Sequence, residues 1–258
     1  MDKFILGDQE FTNRMIIGTG KYASDEQLKK CIENNDIGMI TVALRRMDVD
    51  NMDQSDVLRV IDREKITVIP NTSGARDVDQ AINIARICRA SGLSDYIKVE
   101  ITKDMRTLLP DPMQTYQASR VLIKEGFKVL PYVNADPELC KILEEIGCIA
   151  VMPLGAPIGT GKGLTTLENI KIIVQNANVP VIVDAGIGRP SHAALAMEVG
   201  CDAVMLNSAI SGSDDPIMMS EAFNMAVKAG RKAYLAGVYQ EREEATPSSE
   251  LKDLIHAL

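Results

Sequence analysis

The feature that most constrains this chain is the regular alternation of short apolar runs, rich in Val and Ile, with longer amphipathic stretches of helical period. A run that is apolar on both faces and is followed by a helix is the sequence form of a parallel sheet covered by helices. Eight such runs occur: Met15 to Ile17, Ile40 to Leu44, Thr67 to Ile69, Tyr96 to Ile101, Lys128 to Val133, Ala150 to Pro153, Val181 to Asp184 and Ala203 to Leu206. Ser24-Asp25-Glu26, Asp77 before Val78, and Ser191 after Pro190 supply caps or early acidic residues for the intervening helices. No Pro-, Gly- or Ser-rich linker separates two halves, so eight βα units predict an α/β fold, a single (β/α)8 TIM barrel over 1–258. The length of 258 residues suits one such barrel. Phe4 to Phe11, with Gly7-Asp8 between apolar pairs, predicts a hairpin plugging the barrel bottom, and the polar stretch from Tyr239 is expected as a C-terminal tail or flap, about 239–258.

Charge narrows the partners. Lys and Arg total 28 against 36 Asp and Glu, a formal charge of -8, which argues against nucleic acid and anionic membrane surfaces. No segment approaches a membrane-spanning apolar run, and the first residues have no secretory pattern, so a cytoplasmic protein is expected. Five scattered cysteines, Cys31, Cys88, Cys140, Cys148 and Cys201, form no Cys-x-x-Cys pair and are expected reduced. Only two histidines, His192 and His256, are present, which leaves little material for a histidine metal site or a Ser/His/Asp triad. His192, two residues beyond Pro190, reads as a surface residue, and Met218, Met219 and Met225 read as core packing at helical spacing.

Chemistry concentrates in Tyr96-Ile97-Lys98-Val99-Glu100-Ile101. At period two, Ile97, Val99 and Ile101 share the helix-facing side, so Lys98 and Glu100 point together into the barrel near the carboxyl end of the fourth strand. Charges are expensive there unless paired or functional. A desolvated amine beside a carboxylate suits Schiff-base chemistry with a ketone, and a buried structural ion pair fits the same pattern. In Val181 to Ser191, Ile182 and Asp184 share the inward face, which sets a second carboxylate at the top of the seventh strand. Gly186 and Gly188 then allow close backbone approach ahead of a helix N-terminus, and Asn207-Ser208 follow the eighth strand. Loops after the seventh and eighth strands frequently cradle phosphate in barrels. A third glycine loop, Met152 to Gly163, lacks the Gly-Lys-Ser/Thr end of a nucleotide P-loop.

Together these segments resemble the bacterial thiazole synthase family. The matching stretches are Gly18-Thr19-Gly20-Lys21-Tyr22, Thr41 to Arg46, Pro70-Asn71-Thr72, Thr107 to Asp111, Met152 to Gly161, Val179 to Gly188, Leu206 to Ile210 and Ala229 to Gly237, in order along nearly the whole chain. The resemblance implies an enzyme that joins 1-deoxy-D-xylulose 5-phosphate, a glycine imine (dehydroglycine) made by another enzyme, and sulfur from a thiocarboxylated carrier protein into the thiazole phosphate of thiamine. It further implies that Lys98 forms the imine, that Glu100 and Asp184 are the acid/base carboxylates, and that Gly159, Ala185, Gly186, Asn207 and Ser208 hold the substrate phosphate, to which the glycine loop itself adds Gly188 as a candidate. A homo-oligomer, a tetramer by resemblance, with no metal and no organic cofactor is implied as well. The chain departs from the family's usual pattern at Ala75 in place of cysteine, at Arg189 in place of threonine, at Ser208 in place of threonine, along Val99 to Lys103, and along Gly163-Leu164-Thr165-Thr166. The other functions compatible with a lysine and a phosphate cradle are a class I aldolase or isomerase acting on another sugar phosphate, and a non-catalytic phosphate-ligand or flavin-binding barrel.

Overall fold

The computed structural model describes residues 2–44, 56–239 and 241–247. Its elements are β1 (Phe4–Leu6), β2 (Gln9–Phe11), β3 (Met15–Gly18), α1 (Asp25–Glu33), β4 (Met39–Ala43), α2 (Asp56–Arg59), β5 (Thr67–Asn71), α3 (Val78–Ala90), β6 (Tyr96–Val99), α4 (Pro112–Lys124), β7 (Lys128–Val133), α5 (Pro137–Glu145), β8 (Met152–Pro153), α6 (Leu167–Asn176), β9 (Ile182–Asp184), α7 (Pro190–Glu198), β10 (Ala203–Leu206), α8 (Ser208–Ser211) and α9 (Pro216–Ala236). Arg45, Arg46, His256 and most of the expected tail (240 and 248–258) lie outside the described residues, while 241–247 are exposed.

The strands from β3 to β10 are the eight expected runs. Their neighbour order is β8-β7-β6-β5-β4-β3-β10-β9, parallel throughout. Parallel bridges Val151–Val181 and Leu154–Asp184 bring the two outer strands together and all but close the sheet into a barrel. Period-two alternation sorts the side chains into two cores. Ile97, Val99 and Ile101 of the β6 segment, with Val181 and Val183 at β9, join the layer between sheet and helices. Tyr96, Ile182, Ile16, Met39, Ile69 and Leu130 fill the interior, where Phe4 and Leu6 of the β1–β2 hairpin pack against them. Tyr96 donates its hydroxyl to Leu6 O at 2.9 Å, so the hairpin plugs the end opposite Lys98 and Glu100.

Helix starts follow local chemistry. Ser24 Oγ accepts from Gln27 N at 3.2 Å and Asp77 Oδ1 from Gln80 N at 2.8 Å. Asp111, Asp136 and Asp215 each cap a helix whose first residue is proline. The start of α7 differs from expectation: Pro190 takes the first helical position, so the cap falls on Arg189, which offers no side-chain acceptor, and Ser191 lies inside the helix. The expectation for the methionines is corrected too. The buried stripe of α9 runs through Pro216, Ser220, Phe223, Val227 and Gly230, which leaves Met218 and Met225 on the opposite side at 67% and 65% exposure, while Met219 packs against the core. No helix among the described residues is long and apolar enough to cross a membrane.

Helix α7, which rises from the glycine loop after β9, is held in place by α9. A Cβ at Gly230 would lie 2.3 Å from Ala194 O and 2.9 Å from Met197 Cβ, so the two helices touch backbone to backbone there. Gly230→Val is expected to cost about 1–3 kcal/mol through overpacking and to lower the thermal midpoint by several degrees. A midpoint equal to that of the parent would show that this crossing does not set the helix spacing.

Candidate active site

All nine residues singled out in the sequence line one cavity of about 580 Å³ at the carboxyl ends of the strands: Lys98, Glu100, Gly159, Asp184, Ala185, Gly186, Gly188, Asn207 and Ser208. Lys98, Glu100 and Asp184 are 2%, 5% and 3% exposed. The Lys98 ammonium contacts Asp184 Oδ2 directly and lies 3.3 Å from Glu100 Oε2, with the Tyr132 ring centroid 5.2 Å away. Strand β6 thus meets β9 across the interior, because Lys98 and Asp184 are both inward residues near their strand ends.

Burial works against the Lys98 cation, but the two carboxylates outweigh it and hold the amine above its ordinary range. Asp184 is also raised: burial disfavours its anion and the nearby Glu100 adds to this, while Lys98 and the Ala185 N–H oppose it. A raised carboxyl is a better base than an exposed one. Moving one proton from Lys98 to Asp184 turns a buried ion pair into a neutral pair and frees the amine lone pair.

Second contacts fix Glu100. Asn71 Nδ2 donates to Glu100 Oε2 at 3.2 Å, while Thr72 Oγ1 accepts from Glu100 N at 2.8 Å and donates to Glu100 O at 2.9 Å. Neither Asn71 nor Tyr132 was singled out as a site residue from the sequence. The signal for Asn71 exists, since it is two residues beyond the inward Ile69 on β5. Met105, Leu108 and Met219 add apolar lining from loops and α9, where no periodicity points to them.

The rim opposite Lys98 is made by interlocking glycine loops. Ala185 and Gly186 take left-handed φ values of 64° and 77°. A Cβ at Gly186 would lie 2.3 Å from Ala156 N, and one at Gly188 would lie 2.6 Å from Gly161 Cα, so neither position admits a side chain. Gly155 N donates to Asp184 O at 3.2 Å and Gly163 N to Gly186 O at 2.8 Å, which zips the loop after β8 to the loop after β9. At Gly159, φ 76°, a Cβ would meet nothing within 4 Å. Two amides are spent within the protein. Asn207, with its amide nitrogen turned toward the loop after β3, donates to Gly20 O at 2.9 Å and Gly18 O at 3.2 Å, and Gly188 N donates to His192 Nδ1 at 3.2 Å. His192 is therefore half-buried against this loop, not a plain surface residue. Among the described residues, no group of three or more His, Cys, Asp or Glu is placed to hold a metal ion.

The family model for thiazole biosynthesis protein ThiG matches residues 5–250. The chain belongs to the ThiG family. Thiazole synthase 1 of Syntrophotalea carbinolica is 49% identical over 97% of both chains, and the thiazole synthases of Syntrophobacter fumaroxidans and Clostridium acetobutylicum are each 50% identical over 97% of this chain and 98% of theirs. Among solved structures, the BexX/CysO complex of Amycolatopsis orientalis superposes with a TM-score of 0.84 at 29% identity, covering 93% of this chain and 98% of that one. The thiamine phosphate pyrophosphorylase of Pyrococcus furiosus, at 17% identity and a TM-score of 0.59, covers 84% of this chain and 95% of its own and shares the fold alone. Membership in the ThiG family makes this chain an enzyme, and the barrel geometry matches that of its solved relative.

The ion cluster sets a sign for stability against pH. Lys98 is raised in the folded state, so its contribution is complete at neutral pH and is lost only as pH rises through that raised value. The raised Asp184 behaves oppositely: its anion costs stability above the ordinary carboxylate range, and the cost disappears as pH falls. Lys98→Met leaves two buried carboxylates without their cation, and is expected to lose about 3–5 kcal/mol near pH 8 and to regain part of it by about pH 5. Equal losses at both pH values would contradict the electrostatic account.

Proposed function

We propose that this chain forms the thiazole phosphate of thiamine from 1-deoxy-D-xylulose 5-phosphate, dehydroglycine and sulfur delivered as a carrier-protein thiocarboxylate, with Lys98 holding the ketose as an imine. The observation that carries the reading is a lysine buried between two carboxylates on the floor of a cavity whose rim is bare glycine backbone. Asp184 takes the Lys98 proton, and the freed amine attacks the substrate ketone. Protonation of the carbinolamine oxygen expels water and leaves the imine. Glu100 and Asp184 then move protons so that the imine tautomerises through its enaminol to an amine on Lys98 with a carbonyl on the neighbouring carbon, which sulfur attacks. Orientation comes from the phosphate, seated against Gly159, Gly186 and the Asn207-Ser208 backbone, with Ala185 holding the turn. The Asn207 side chain serves this seat indirectly, by tying the loop after β10 to the loop after β3.

Several facts support an outside source of sulfur. All five cysteines are free and buried. Burial pushes the Cys88 thiol up to about 11 and those of Cys140 and Cys148 up to about 12, which keeps them protonated and unreactive at neutral pH. The relative BexX is found in a complex with CysO, which supports a protein partner for this chain. The same reading takes the enzyme as a cytoplasmic homo-oligomer.

The test is product formation with each component withheld in turn. Thiazole phosphate should require the thiocarboxylated carrier, and turnover of the ketose phosphate without carrier would favour an aldolase or isomerase instead. A variant with all five cysteines replaced by small residues is expected to remain active with the carrier. If it folds and binds the ketose phosphate but makes no thiazole until one cysteine is restored, the external-donor reading fails. Asp184→Asn is expected to slow the steps after binding by about 10²- to 10⁴-fold, the range for removing a general acid or base. A parental rate in that variant would remove Asp184 from the scheme.

A further inference from the structure

His192 sits where the two zipped loops meet, and the reaction proposed above makes no use of it. Its backbone N–H closes the first turn of α7 on Arg189 O at 3.0 Å, and its side chain reaches back past the cap to accept the Gly188 N–H at 3.2 Å. The latter is a capping-box-like contact, from the third helical residue back to the amide just before the Arg189 cap. The same ring lies flat against the facing loop: a Cβ at Gly163, φ 82°, would fall 2.9 Å from both Cε1 and Nε2 of His192. One imidazole therefore touches both strands of the zipper, on either side of the Gly161–Gly188 backbone contact and one step from the Gly163–Gly186 hydrogen bond.

We infer that His192 is a positioning residue whose neutral imidazole clamps the two glycine loops of the phosphate seat, so that protonating it loosens the seat and weakens ketose-phosphate binding. The inference rests on the phosphate-seat reading given above. The chemistry is specific to the acceptor form. Gly188 N–H can donate only to an Nδ1 that has a free lone pair, and the protonated ring presents N–H at both nitrogens. Once protonated, the ring turns a hydrogen bond into an N–H to N–H opposition and adds a cation to a helix N-terminus, where cations are disfavoured. The charged groups around it are Arg189, one residue before α7, and Lys162, adjacent to Gly163 on the facing loop. Burial, with the Arg189 cation adding to it, holds the ring below its ordinary value, so the clamped form prevails at neutral pH.

The experiment measures ketose-phosphate KM and kcat, and the Kd of inorganic phosphate, across pH for the full-length protein and three variants. His192→Leu keeps bulk against Gly163 but removes the acceptor. It is expected to raise KM and the phosphate Kd about 10-fold near pH 8 with kcat changed less than about twofold, the size of one lost hydrogen bond worth roughly 1.4 kcal/mol. His192→Asn, whose Oδ1 accepts where Nδ1 did, is expected to recover most of that affinity. The substrate phosphate itself titrates near pH 6 in every variant, so the signature of the clamp is the extra weakening below that pH, present in the parent and absent in His192→Asn. Gly159→Val separates the two readings, because a Cβ at this cavity-lining position meets no protein atom within 4 Å and its side chain takes up open seat space without touching the zipper. If Gly159→Val weakens binding and His192→Leu does not, the clamp is wrong and the seat stands. If neither does, the seat itself lies elsewhere and the clamp falls with it. Parallel pH profiles for the parent and His192→Asn would overturn the protonation step whatever the Leu variant does.

Discussion

The ammonium of Lys98, fixed between Asp184 and Glu100 inside a barrel, is the contact around which the rest of this structure is organised. A lone cation at such a depth would be too costly to keep, and two lone carboxylates equally so. The cluster survives because two strands deliver its members to one level: β6 brings Lys98, Glu100 follows two residues later on the same segment, and β9 brings Asp184 from across the interior. Below that level the hairpin and the interior side chains from Ile16 to Ile182 exclude water. Above it the glycine loops leave an opening. The sheet, the plug and the loops are all needed for one amine to be both buried and reachable.

That arrangement also explains how one site accommodates opposing demands. Binding a phosphate calls for bare backbone, which the left-handed turn at Ala185 and Gly186 provides at some conformational cost. Carbon chemistry calls for a proton acceptor whose basicity exceeds that of an exposed carboxylate, which burial provides at Asp184. The two meet at adjacent residues, because Asp184 ends β9 and Ala185 begins the turn. The positions of the proposed base and of the proposed phosphate seat are thus set by a single strand end.

Much of this is legible in the sequence, for identifiable reasons. Period two alone places Lys98 and Glu100 inward and Ile97 and Val99 outward, and the same rule at Ile182 and Asp184 brings the second carboxylate to the same cavity. The hairpin over Phe4 to Phe11 is legible from Gly7-Asp8, and the caps at Ser24 and Asp77 from residue type. What escaped depends on contacts between distant loops. Gly188 and Asn207 look like phosphate donors in isolation, yet one amide is taken by His192 and the other by the carbonyls of Gly18 and Gly20. His192 reads as surface because nothing local shows that Gly163, from another loop, lies against its ring. Met218 and Met225 read as core because methionine is apolar, but the buried stripe of α9 is fixed by which turn meets α7, and they fall on the other side.

The central claim is that Lys98 is the amine that holds the substrate. Intact-mass measurement after incubation with 1-deoxy-D-xylulose 5-phosphate and borohydride, followed by peptide mapping, tests it most directly. The account predicts a single reduced adduct on Lys98, absent from a folded Lys98→Arg variant, since a guanidinium keeps the charge but is no nucleophile near neutral pH. An adduct on Lys21, Lys162 or any other lysine, or an undiminished adduct in the Arg variant, would contradict it.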